Sequence, residues 1–183
     1  MPAALKDLPP LILASASPRR AELLRQLSLD FKVVPGGVPE IHHDQLTARE
    51  VSQINAYRKA RCVAKKFPDL LVLGADTLVC LGNVLFGKPA TLEAAYQMLE
   101  QLQGRTHQVV TGICLLHLRN HRQSVFAEST AAIFPLILSG NSAIALALKL
   151  VTGCFSTSCL KSLVIANPTL MPSAWKGYLE SAV

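Results

Sequence analysis

The sequence predicts an α/β domain: a mixed twisted sheet with flanking helices. Three observations predict it. Over residues 1–130, short apolar runs of strand length alternate with segments of helical periodicity. The helical segments open on recognisable caps, at Ser17-Pro18, at Thr47 with Glu50, and at Thr91. The resulting order, β, α, β, α, β, β, α, β, combines helical crossovers with one tight hairpin, so parallel and antiparallel neighbours are both expected.

Each element has its own justification. Leu11-Ile12-Leu13-Ala14 is a continuous apolar run, as a strand buried on both faces requires. Ser17 suits an N-cap and Pro18 the first helical position, opening a helix to about Leu27 with Leu23, Leu24 and Leu27 on one face. Phe31 to Val34 reads as a second strand, ended by Pro35-Gly36-Gly37. Thr47-Ala-Arg-Glu50 is a capping box, starting a helix to about Lys66 whose inner face is expected to hold Val51, Ile54, Ala60 and Val63. Leu70 to Leu73 leads through Gly74-Ala75-Asp76-Thr77 into Leu78, Val79 and Cys80, and Gly82-Asn83 reads as a hairpin turn. Gly87-Lys88-Pro89 is a loop. Thr91 caps a helix in which Ala95, Met98, Leu99 and Leu102 follow i, i+3, i+4, i+7 spacing, and Gly104 ends it. Gln108 to Leu118 is a β-branched strand with Gly112 inside it.

The chain has 183 residues, 50% hydrophobic, enough for one domain with a sizeable core. Its net charge of +6 suits anionic partners. The basic residues are not interleaved with the few aromatics, so nucleic-acid readout by stacking is not expected. Cys62, Cys80, Cys114, Cys154 and Cys159 are odd in number and contain no CxxC, which reads as free thiols in a reducing, cytoplasmic setting. The opening segment, Met1 to Pro10, is too short and proline-rich for a secretion signal.

Charge is unevenly spread. Residues 1–130 carry 15 Lys/Arg and 11 Asp/Glu, whereas residues 131–183 carry only Lys149, Lys161, Lys176 and Glu180. The chain therefore reads as a binding and catalytic region, 1–130, followed by a charge-poor tail, 131–183, that is not a separate domain. Ser129 to Leu148 holds no charge, but Pro135 and Ser139-Gly140-Asn141-Ser142 interrupt it, so no membrane span is expected.

Several residues could carry chemistry. Ser15 to Arg20 joins a strand end, a turn and a helix N-terminus, where free N–H groups and the helix dipole favour an anion. Arg19 and Arg20 oppose that dipole unless a polyanion lies between, and guanidinium binds phosphate bidentately; a solvated Arg pair is the bland alternative. Asp76 follows a buried strand, where ligands of open α/β sheets gather, and could hold Mg²⁺ or Mn²⁺ or position a water; a turn aspartate is the commoner role. Glu40 and Asp44 share a polar loop with His42 and His43, in which solvated side chains are commoner than a metal site. Lys59 lies on the long helix, where a solvated face is the default, and Lys88 in a loop suited to a phosphate contact. His107 at a strand start is better read as bonded to backbone than as a base. No P-loop, GxSxG, HExxH or GxGxxG pattern occurs.

Taken together, Leu13-Ala-Ser-Ala-Ser-Pro-Arg-Arg20, Lys59-Ala60, Gly74-Ala-Asp-Thr77, Gly87-Lys-Pro89 and Gly104-Arg-Thr-His-Gln-Val-Val-Thr-Gly112 resemble the Maf family of nucleoside triphosphate pyrophosphatases, in order, over residues 10–130. The resemblance implies an α/β fold shared with inosine triphosphate pyrophosphatases, with a cleft between two lobes, and cleavage between the α and β phosphates with a divalent metal. It implies that Asp76 is the catalytic carboxylate, that Ser15, Arg19, Arg20, Lys59 and Lys88 contact the triphosphate, and that Glu40 joins Asp76 as a metal or water partner. Pro-Arg-Arg with Asp-Thr is similar to the branch acting on dTTP and UTP, a preference assigned by resemblance to Arg19 and Thr77. A non-catalytic nucleotide binder or septum-formation regulator is the competing class. A homodimer is neither required nor excluded.

The resemblance stops near Thr130. The family's lysine-alanine-glycine-alanine-tyrosine, isoleucine-glutamine-glycine and glycine-leucine-proline segments have no counterpart in residues 131–183, so the second lobe is expected to be incomplete and the specificity glutamine is missing. A frameshift near codon 130, or a sequencing error, would produce such a boundary, and the activity would then be impaired.

Overall fold

A computed structural model describes residues 10–26, 29–43 and 45–133. Among these the chain forms β1 (Leu11–Leu13), α1 (Pro18–Gln26), β2 (Phe31–Val33), α2 (Ala48–Ala64), β3 (Leu71–Leu81), β4 (Val84–Phe86), α3 (Leu92–Leu102), β5 (Thr106–His117) and β6 (Arg122–Ile133). The strands make one sheet in the order β2-β1-β3-β5-β6, with β4 also paired to β3. β1 is parallel to β2 and β3, whereas β3–β4, β3–β5 and β5–β6 are antiparallel. The mixed α/β sheet with flanking helices is therefore what the alternation and the hairpin predicted.

Helices cover both faces. Alternate residues of a strand face opposite sides. Leu71, Leu73 and Ala75 pack with Leu11 and Leu13 against Ala21 and Leu24 of α1, while Val79 of the same face packs on Met98, Leu99 and Leu102 of α3. Val72 joins Ile12, Cys114 and Leu116 against Ala56, Ala60, Val63 and Ala64 of α2. The caps at Thr47 and Thr91 hold as expected: Thr47 Oγ1 accepts from Glu50 N–H while the Glu50 carboxylate accepts from Thr47 N–H, and Thr91 Oγ1 accepts from Ala94 N–H at 3.1 Å. Gly82 and Gly104 take positive φ at the hairpin turn and after α3.

Two expectations are corrected. Ile54 is not on the inner face of α2; it is 36% exposed, and Val51, Asn55, Ala56, Ala60 and Val63 are buried instead. β6 was not expected. Polar residues are spread through it and most of its positions are exposed, because one face of an edge strand meets solvent, yet it pairs with β5 along its whole length. It runs to Ile133, past the composition break at Thr130. Leu27, Asp44, Cys154, Cys159 and everything from residue 134 on lie outside the described residues, as does the expectation of an incomplete second lobe. No helix among the described residues is long and apolar enough to cross a membrane. Cys62, Cys80 and Cys114 are free thiols, and burial pushes Cys114 up to about 12, leaving it an apolar core group at neutral pH.

Two glycines decide how closely α2 approaches the sheet. A Cβ on Gly74 would stand 2.3 Å from the Ala56 carbonyl oxygen, and one on Gly112 2.2 Å from the Ser52 carbonyl carbon. Only a residue without a side chain lets the helix backbone lie there. The helix face that descends onto the sheet is the one bearing Asn55 and Lys59.

Candidate active site

One edge of β3 is shared by two short strands. β1 pairs with Leu71 to Leu73, and β4 pairs with Val79 to Leu81. Between them residues 74–78 have no strand neighbour on that edge among the described residues, while on the other edge β5 pairs with Leu71 to Cys80. The gap opens into a cavity of about 760 Å³. The turn after β1 (Ala14 to Arg20) walls one side, the loop after β4 (Gly87 to Pro89) another, and the loop after β2 (Pro35 to Glu40) a third.

Asp76 and Thr77 sit at the gap and point to opposite faces. Asp76 is 3% exposed and held from α2: Lys59 Nζ donates to Oδ1 at 2.5 Å, and Asn55 Nδ2 donates to Oδ2 at 3.1 Å. Lys59 Nζ also donates to Glu40 Oε1 at 2.8 Å, so one ammonium joins two carboxylates. Gly36 lets the Glu40 loop lie against the backbone of Lys59, 3.0 Å from its carbonyl oxygen to the position of an added Cβ. Burial alone would raise the Glu40 carboxyl, but the Lys59 hydrogen bond and charge, helped by Lys88 and His42, outweigh it and hold Glu40 below its ordinary value. Glu40 is therefore ionised at neutral pH.

Thr77 is held from α1. Arg20 Nη2 donates to Thr77 Oγ1 at 3.0 Å, and Nη1 donates to Ser15 Oγ at 3.0 Å and to the Ala75 carbonyl at 2.9 Å. Thr77 Oγ1 lies 3.2 Å from Thr111 Oγ1 of β5. Ser15 Oγ also accepts from Ser17 N–H at 3.2 Å, fixing the turn into α1. Desolvation lowers the Arg20 pKa from its ordinary value, opposed by the charges of Asp76 and Glu40; a guanidinium starting so high stays cationic.

The residues that the resemblance assigns to the site all line this one cavity: Ser15, Arg19, Arg20, Glu40, Lys59, Asp76, Thr77 and Lys88; His42, His43 and His107 do not. Arg19 and Asp76 open onto the same space. Lys88 stands at the rim, largely exposed, with Nζ 3.9 Å from Glu40. His42 packs beside Gly87, and His43 Nδ1 accepts from Gln45 N–H at 3.3 Å. His107 is buried with Nδ1 3.1 Å from the Arg105 carbonyl, the backbone-bonded role the sequence favoured. Asn55 was missed. Its signal was available: it lies one helical turn before Lys59, so any face carrying Lys59 inward carries Asn55 with it.

The two carboxylates supply hard oxygen donors at one mouth, the donor type that suits Mg²⁺ or Mn²⁺ when substrate oxygens complete the shell. Among the described residues no cluster of three or more His, Cys, Asp or Glu could hold a metal unaided. The residues present fit a cation shared with a phosphorylated ligand.

A family model described as Maf-like protein matches residues 10–138. The chain belongs to the Maf family. Among curated relatives, a dTTP/UTP pyrophosphatase from Pelotomaculum thermopropionicum is 44% identical over 124 residues, covering 68% of this chain and 65% of that protein. One from Ruminiclostridium cellulolyticum is 42% identical over 125 residues, again 68% and 65%. This Maf chain thus spans just under two thirds of the length of these relatives. Among solved structures, a HAM1 protein from Coxiella burnetii aligns with TM-score 0.47 and 22% identity, covering 69% of this chain and 73% of that one.

Proposed function

We propose that this chain is a nucleoside triphosphate pyrophosphatase that hydrolyses dTTP and UTP to the monophosphate and pyrophosphate. One observation carries the reading: Arg19, Arg20, Lys59 and Lys88 share a single cavity with Asp76 and Glu40. Four cations against two carboxylates leave an excess of positive charge, as a polyphosphate chain requires. The relatives' names support the same substrates.

The chemistry follows from the residues. Arg19, Lys88 and the Ser15 turn bind the triphosphate, with Arg20 holding the turn against β3. Glu40 and Asp76 would hold a divalent cation, Mg²⁺ or Mn²⁺, which when bound would neutralise charge on the phosphates. Asp76 Oδ1 takes the proton of the attacking water. The water oxygen bonds to the α-phosphorus, the bond from that phosphorus to the bridging oxygen breaks, and pyrophosphate leaves. Lys59, bonded to the Asp76 carboxylate, orients it and stabilises charge that builds on the phosphates. Thr77, with Arg19, carries the nucleotide preference. The free thiols fit a reducing, cytoplasmic setting.

Pyrophosphate release from a panel of nucleoside triphosphates, with Mg²⁺ or Mn²⁺, tests the reading. dTTP and UTP are expected to lead. Asp76→Asn is expected to abolish release while nucleotide binding persists. Binding without release by the unmodified chain would make it a non-catalytic binder or regulator.

We propose further that the gene reads out of frame from near codon 130. This is supported by the absence of the family's later segments from residues 131–183. The missing specificity glutamine is then expected to leave turnover low. Translating the other two frames downstream should restore the segments; if neither does, the tail is a genuine divergence.

A further inference from the structure

We propose that Asn55 is a positioning residue that sets Asp76 and the Glu40 loop in one arrangement, a proposal resting on the reading of this cavity as a pyrophosphatase site. Asn55 is 1% exposed. Its Oδ1 accepts from Ile41 N–H at 2.8 Å, and its Nδ2 donates to the Ile41 carbonyl at 3.1 Å. This reciprocal pair with one backbone residue fixes which end of the amide is which. The second Nδ2 hydrogen goes to Asp76 Oδ2 at 3.1 Å. One side chain thereby grips the residue next to Glu40 and one oxygen of Asp76.

The grip has a rigid base. Asn55 lies between Ser52 and Ala56, the two residues whose backbone rests on Gly112 and Gly74. The other link between the carboxylates is the Lys59 ammonium, at the end of a flexible four-carbon stem. Asn55 fixes the orientation that Lys59 alone leaves free. Partners of this kind, one shell behind the metal-holding groups, change metal affinity or activity by about 10–100-fold when removed.

Two variants test this. Asn55→Ala removes both grips. Asn55→Asp keeps an acceptor for Ile41 N–H but cannot donate to Asp76. Each is checked for folding by circular dichroism, then measured in two ways: kcat and KM for UTP, and Mn²⁺ affinity by water-proton relaxation with a non-hydrolysable α,β-imido analogue of UTP. Both variants are expected to lower kcat and weaken Mn²⁺ by about 10-fold or more, with KM changing by less than about 3-fold. Hydrogen exchange at Ile41 separates the grips: its amide is expected to lose protection in the alanine variant and keep it in the aspartate variant. Should Asn55→Ala fail to fold, Asn55→Asp, close in volume, decides alone. Either folded variant with kcat and Mn²⁺ affinity within about 2-fold of the unmodified chain overturns the proposal. So does a rise in KM with kcat and Mn²⁺ affinity intact. If the unmodified chain releases no pyrophosphate, the proposed activity falls, and the Mn²⁺ titration by itself decides on Asn55.

Discussion

Asp76 and Thr77 are neighbours in one strand, yet they belong to different regions of the molecule. Asp76 faces α2, a 17-residue helix with a full capping box, pressed onto the sheet through two glycines. Thr77 faces α1, a 9-residue helix whose N-terminus opens on the cavity. The Asp76 side is buried and braced. The Thr77 side rests on a shorter helix and is half-open to the cavity. The contrast teaches that a two-residue motif can be divided between a buried, braced side and an open, cavity-lining side merely by the pleat of a strand.

That contrast can be broken or sharpened, beginning with its strongest member. Lys59→Met leaves Glu40 and Asp76 facing each other without their shared cation. Removing one partner of a buried ion pair costs about 3–5 kcal/mol. Urea unfolding at neutral pH should show a loss of that order, and added Mn²⁺ should raise the melting temperature of the variant more than that of the unmodified chain. Gly112→Ala comes next. Its new methyl meets the Ser52 backbone, and overpacking costs about 1–3 kcal/mol. Gly82→Ala is its control: φ is +59° there but nothing lies within 4 Å, so its cost in urea unfolding should stay near about 1 kcal/mol, without effect on turnover. If the two glycine variants lose equal activity, α2 does not position the site.

A smaller effect belongs to the α1 side. Thr111→Val removes the hydroxyl 3.2 Å from Thr77 and should cost about 1 kcal/mol of stability. It should alter the ratio of UTP to CTP hydrolysis while Asp76-dependent turnover survives; an unchanged ratio would detach Thr111 from recognition. The smallest lies at the start of α2. Thr47→Ala should cost about 1 kcal/mol through the lost cap. Hydrogen bonds from the Thr47 backbone and then its side chain lower the Glu50 pKa from the ordinary 4.5, against weak desolvation. The folded value lies below the unfolded one, so the Glu50 contribution is full above pH about 4.5 and disappears as pH falls through the folded value. Melting temperatures of Glu50→Gln and the unmodified chain should therefore converge in acid.

Much of this was legible in the sequence because the signals were local. Caps, the Gly82-Asn83 turn and the apolar runs act over a few residues, and they placed eight elements in order. The Ser15–Arg20 and Lys88 motifs were legible because they sit at turns, whereas Asp76, expected after a strand, lies with Thr77 inside β3, and Lys59 lies inside α2, so only the resemblance joined them to the set. β6 was not, since an edge strand with one wet face shows no apolar run; its position comes from pairing with β5, a long-range fact. Ile54 was misplaced because α2 has too few large apolar side chains to mark its face; Ala56, Ala60 and Ala64 do so by being small. Asn55 escaped for a similar reason: a polar residue in a helix looks solvated until the strand beneath it is known to carry a carboxylate. Gly74 and Gly112 stood inside quoted motifs, but their purpose, a helix resting on bare backbone, needs both partners in view.

The interrupted edge of β3 has one more consequence. Leu73 gives its carbonyl to Ala14, and two residues on the Ala75 carbonyl points the same way with no strand among the described residues to receive it. Arg20 fills that position with a side-chain donor. An uncovered stretch of strand invites a foreign strand, the first step toward aggregation. The same guanidinium that lines the cavity thus occupies the backbone acceptor that a polypeptide zipping along this edge would need.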